Sequence, residues 1–165
     1  MISRWMKNWL VLSMLIVFWD ISFIFLRPYS MPGGDLHFLW IPYLKYISID
    51  LSYGDLNDPF VPAQAILSLV EITLGLVVLW WSRIGKQIEA GLLLMVVSSL
   101  TAAKTALILV LEWTSGFENT GHNTWWESGL FYGLPNVVWI IFPTAVALCL
   151  ARRFIANSAM PLREQ

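Results

Sequence analysis

The chain has one cysteine and little charge: Asp, Glu, Lys and Arg make up 13% of its 165 residues. A lone thiol, Cys149, excludes an internal disulfide and any cysteine-based metal site, and it reads as a filler of an apolar helix. Ten basic against eleven acidic residues leave a net charge of −1, which gives no reason to expect nucleic acid as a partner. Asp50, Asp55 and Asp58 do not follow the spacing of an EF-hand loop, so they read as a solvated acidic face. No residue set points to a metal or a cofactor.

What is abundant is apolar surface. Hydrophobic residues make up 58% of the chain, with ten Trp among them. A soluble domain of this length could not hide so much, so lipid must cover it. The expectation is an all-α membrane protein, a four-transmembrane-helix bundle with an interfacial segment in its first long loop. The transmembrane domain is expected over residues 1–155, followed by a short polar cytoplasmic tail over 156–165.

The bundle is organised around Pro62 to Arg83, long enough to span a bilayer and carrying Glu71 at its centre. Gln64, Ser68, Glu71 and Gly75 fall at i, i+4, i+7 and i+11, on one helical face. A charge at mid-bilayer costs roughly 2.5–3.5 kcal/mol on insertion scales, so Glu71 needs partners or a purpose. The other spans supply candidates. The first, about Trp9 to Phe25, carries Asp20; it follows Arg4 and Lys7 but lacks a small-residue cleavage site, which favours a retained span. The third, about Ile88 to Leu111, has a polar stripe of Ser98, Thr101, Lys104 and Thr105 that runs on to Glu112. The fourth, about Gly129 to Ala151, places Tyr132, Asn136 and Trp139 on one face, with Pro143 beyond. The stretch FLWIPYLKY in the first loop is too short and too broken by Pro42 to cross, and is expected as an interfacial or re-entrant segment packed on the bundle, with Trp40, Tyr43 and Tyr46 at headgroup depth. His122, in the second long loop, is expected in solvent.

Lys and Arg concentrate at the N-terminus, in the turn at 82–87 and in the tail, whereas the two long loops are acidic. That asymmetry puts both termini in the cytoplasm. At 1.5 Å per residue, Asp20, Glu71, Lys104 and Asn136 each fall roughly 10–15 Å below the acidic surface, in one polar layer. One reading is a structural carboxylate–lysine pair that holds helices together. The other is a proton-transfer site, because two carboxyls share one ammonium. The simplest arrangement pairs Lys104 with Asp20 and leaves Glu71 neutral.

Several residues carry a resemblance. Leu39-Trp-x-x-Tyr43, then Asp50-x-x-Tyr53, Phe60 and the Glu71 helix, followed by Glu112, Gly116-Phe117, Phe131, Asn136, Trp139 and Pro143, resemble the emopamil-binding-protein (EXPERA) family. This superfamily includes the sterol Δ8–Δ7 isomerase and the sigma-2 receptor, and the likeness runs from about Trp19 to Ala151. It implies that Glu71 matches the family's essential glutamate and that Asn136 and Trp139 match its Asn-x-x-Trp. It further implies a proton-driven double-bond shift on a sterol or isoprenoid lipid, with Glu71 and Asp20 catalytic and Asn136, Trp139, Lys104, Tyr132, Thr105 and Glu112 binding the substrate. The first helix departs from the pattern, with Asp20 at the family's His position and Ile24 at its Glu position, so the acid–base pair is rebuilt. A binding protein of the sigma-2 receptor type, holding a sterol or amine without chemistry, is the other reading. A homodimer is compatible with either. The implied membrane is the endoplasmic reticulum in a eukaryote or the inner membrane in a bacterium.

Overall fold

The computed structural model describes residues 1–159; the rest of the expected tail, 160–165, lies outside them. Four helices are long and apolar enough to cross a membrane, and no strand occurs among the described residues. The protein is an all-α integral membrane protein. Helix α1 spans Arg4–Phe25, α3 spans Phe60–Arg83 and α4 spans Gln87–Thr114. The last span begins with a short turn, α5 (Trp125–Glu127), passes through a π-helical segment (Ser128–Gly133) and continues as α6 (Leu134–Ala159). Each span exceeds its expected limits by a few residues, because apolar windows mark the bilayer core and not the interfacial turns that extend a helix. At the C-terminal end α6 runs through 156–159, where a polar tail is expected, so the helix outlasts its apolar stretch.

The spans pack in sequence order: α1 along α3, α3 along α4 and α4 along α6. Gly75 permits the first of these approaches, since a Cβ there would lie 2.5 Å from Met14 Sδ. Helices α1 and α6 hardly approach each other through their backbones. Their seam is bridged by rings, with Trp9 stacked on Phe142 at 4.5 Å and edge-on to Trp139 at 5.6 Å. At this end Met6, Leu10, Val78, Ala90, Leu94, Val146 and Leu150 form one buried cluster. The N-terminus meets α6 here, where Arg153 donates to the Met1 carbonyl. Many large apolar side chains face outward, among them Leu15, Leu76, Leu100 and Ile141, all more than half exposed or nearly so and suited to lipid.

The first long loop is built more firmly than its sequence suggests. A 3-10 turn (His37–Trp40) and α2 (Tyr43–Ile49) do not cross the bundle, as expected. Trp40 and Tyr43 are buried against Phe23, Ile24, Val61 and Ala65, however, and are not headgroup anchors. Trp40 Nε1 donates to the Trp19 carbonyl while Trp19 Nε1 donates to Leu39 O, so α1 and the loop satisfy each other's groups. The second loop clasps α2: Asn123 Nδ2 donates to Ile49 O, and exposed His122 has Nε2 2.8 Å from Ser48 O.

Candidate functional site

Helices α1, α3, α4 and α6 line an open cavity of about 230 Å³. Asp20, Glu71, Lys104, Thr105, Asn136 and Trp139 all line it, together with Tyr43, Tyr46, Tyr53 and Gln64. Helical periodicity brings them there: Gln64, Ser68 and Glu71 share the inner face of α3, and Thr101, Lys104 and Thr105 share that of α4.

The ion pair differs from the expected one. Lys104 Nζ lies 3.0 Å from Glu71 Oε2, and both side chains are 13% exposed. The ammonium also donates to Ser68 Oγ at 2.6 Å, and Thr101 Oγ1 lies 3.1 Å from the same Glu71 oxygen. Adjacent packing decides the partner: α4 lies directly along α3, and α1 reaches Lys104 only across the cavity. Glu71 Oε1 makes no hydrogen bond among the described residues.

Asp20 is held instead by phenols. The Tyr43 hydroxyl donates to Asp20 Oδ1 in a very short hydrogen bond, and the Tyr53 hydroxyl lies 3.3 Å from the same oxygen. Burial, with Asp20 beside them, pushes both tyrosines well above the usual phenol value, which keeps them as donors. No ion pair to Asp20 occurs among the described residues. Tyr43 and Tyr53 were missed as site residues. Their signal was the family-like Leu39-Trp-x-x-Tyr43 and Asp50-x-x-Tyr53 spacing, which gives positions but not a target.

The remaining candidates divide. Asn136 Nδ2 donates to Tyr132 O at 2.8 Å, where the π-helical segment meets α6, so one of its two amide N–H groups is committed to the backbone. The Thr105 hydroxyl donates to Thr101 O. Trp139 spans the seam to Trp9. Tyr132 and Glu112 line a separate hollow toward the second loop. Glu112 is a correction: its carboxylate accepts from the Asn119 and Thr120 backbone N–H groups, from Thr120 Oγ1 and from Asn119 Nδ2. Four donors make it the tie of its loop, and it lines the separate hollow and not the main cavity. Asp50 is a second correction. It is buried, not solvated, with Oδ1 accepting from Ser52 N and Oγ. Burial outweighs those two bonds and, with Glu112 and Asp58 nearby, pushes its carboxyl up to about 6.

Chemically, the cavity offers an ion-paired carboxylate with one oxygen unengaged, a second carboxyl supplied only by hydroxyl donors, and the Trp139 indole beside them. Compared with family models, with curated proteins and with solved structures, the chain has no match in any of the three.

Proposed function

We propose that this membrane protein holds a sterol- or isoprenoid-like lipid in its cavity and shifts a double bond by proton transfer, as in the emopamil-binding-protein family it resembles. One observation carries the reading: two carboxyls line one cavity that contains a single ammonium, and that ammonium pairs with Glu71. In the proposed cycle the Asp20 carboxyl gives its proton to one alkene carbon, and Tyr43 and Tyr53 steady the anion left behind. Positive charge develops on the neighbouring carbon. The Glu71 carboxylate and the π face of Trp139 stabilise it. Glu71 Oε1 then takes a proton from the next carbon, the double bond forms there, and return of that proton to Asp20 completes the cycle. No net proton or electron is consumed.

The basic ends of the spans support a cytoplasmic location for both termini. The site is tested by comparing lipid extracts from cells with and without the protein in deuterated water. An isomer that appears only with the protein and carries one solvent deuterium supports the cycle. Unchanged lipids with a ligand co-purifying in the cavity favour the second reading, a non-enzymatic sterol or amine binder. The closed Glu71–Lys104 pair is the feature that favours this alternative, since a carboxylate already paired with an ammonium is a weaker base for taking a proton from carbon.

A further inference from the structure

Ser98 lies on α4 one turn before Thr101, and only 5% of it is exposed. Its hydroxyl makes no hydrogen bond among the described residues, yet it is not sealed: the buried orphan atoms with no accessible surface are Ser3 Oγ and Gln64 Oε1. Ser98 opens on a second, smaller hollow of about 40 Å³, nearer the N-terminal end of α1. Glu71, Thr101 and Trp139 line both hollows, so the carboxylate stands where the two meet. Thr101 Oγ1 reaches Glu71 Oε2, and residues one turn apart on a helix are neighbours, so Ser98 and the unengaged Glu71 Oε1 border one small space. Ser13 of α1 lines it too; its hydroxyl donates to Leu10 O and its oxygen can still accept.

The chemistry of this space selects a polar, uncharged guest. Lys104 already balances Glu71, and a cation would bring net charge into the bilayer. Water fits: a buried water needs roughly 10–15 Å³ and about two to four polar partners, and the hollow offers both. We propose that Ser98 and Glu71 Oε1 hold a water there, and that the site adds this water across the double bond of its lipid, making an alcohol. The inference rests on the proposed proton-transfer reading and goes beyond isomerisation. Asp20 gives its proton to one alkene carbon, and a C–H bond forms. The water oxygen then bonds to the cationic carbon beside Trp139, while one water proton passes to Glu71 Oε1. Return of that proton to Asp20 resets the site. One alkene and one water become one alcohol, with no electron gained or lost. Loss of a C–H proton and capture of water compete for the same cation, and a water already seated on the base favours capture.

The test uses membranes from cells with and without the protein, incubated in water enriched in both deuterium and heavy oxygen. The alkene probes are the cells' own lipids with added geranylgeraniol and lanosterol, and products are read by mass spectrometry. Wild type is expected to give an alcohol with heavy oxygen on carbon and one carbon-bound deuterium, absent from membranes without the protein. Ser98→Ala keeps both carboxyls but loses one support of the water, so its ratio of alcohol to deuterated isomer should fall about tenfold. Ser98→Thr, which keeps a hydroxyl, should restore the ratio. A deuterated isomer without heavy oxygen in any product overturns hydration and leaves the double-bond shift standing. An unchanged ratio in Ser98→Ala places the water elsewhere and overturns the site. Loss of both products together in Ser98→Ala makes Ser98 structural and also overturns it. If neither label enters any lipid, the proton-transfer reading itself falls, and hydration with it.

Discussion

Lys104 Nζ sits 3.0 Å from Glu71 Oε2, joining the centres of α3 and α4 with each side chain only 13% exposed. Removing one partner leaves the other charge buried alone. Lys104→Met is therefore expected to destabilise the protein by about 3 kcal/mol, and Glu71→Gln by a similar amount. The double variant should recover most of the loss, because it leaves no charge unpaired. Unfolding in mixed micelles measures all three; a double variant as unstable as the sum of the singles would show that the two groups do not interact.

The fold was legible because its signals are strong: four apolar stretches of bilayer length, basic turns at one end and a polar stripe on each of α3 and α4. The cavity was legible for the same reason, since a helix has one inner face and Gln64, Ser68 and Glu71 must share it. Partner choice was not. Whether Lys104 reaches Asp20 or Glu71 depends on which helices are neighbours, and no periodicity within one helix encodes that. The loops misled in a consistent direction. Asp50, Trp40 and Tyr43 read as surface residues and Glu112 as a substrate contact, yet the two long loops fold against each other and against the outer end of the bundle, burying all four. Burial of that kind follows from loop–loop packing, which leaves no repeat in the sequence.

Asp50 gives a pH signature outside the spans. The folded protein binds its proton more tightly than the unfolded chain does, at about 6 against 3.8. Between these values the folded state carries the extra proton, so stability falls as pH rises across the window and stays at the lower level above it. Asp50→Asn preserves an oxygen for Ser52 and removes the buried charge. It is expected to stabilise the protein at pH 7.5 by roughly 3 kcal/mol at most, and to change nothing at pH 3.5. Melting curves of both proteins at the two pH values measure this; an equal effect at both would remove the charge from the explanation.

Topology can be read by labelling. In a Cys149→Ser background, single cysteines at Ser115 and Ser158 should react with a membrane-impermeant maleimide from opposite sides. The motivation is the position of Ser115 after α4 and of Ser158 near the end of α6, at opposite ends of the bundle. Ser158 is expected to react from the cytoplasmic side. Reaction of both from a single side would overturn the four-span arrangement.

Asp20 should be the proton donor of the proposed cycle. Its carboxyl lines the cavity that Glu71 lines, but its neighbours are the Tyr43 and Tyr53 hydroxyls and not the ammonium. Glu71 is paired with Lys104 and so enters the cycle as the base, which leaves the carboxyl without an ion-pair partner to enter it as the acid. Asp20→Asn retains the shape and the hydrogen-bonding capacity but cannot release a proton. It is expected to fold normally and to lower turnover roughly 10²–10⁴-fold, the usual worth of a general acid. Tyr43→Phe removes one donor to the departing anion and should cost less, about tenfold. Solvent deuterium in the product should fall in step with turnover in both. Full turnover and full deuterium uptake by Asp20→Asn would assign the proton to another group. Glu71→Gln, combined with Lys104→Met to keep the charges balanced, then identifies that group if its activity alone is lost.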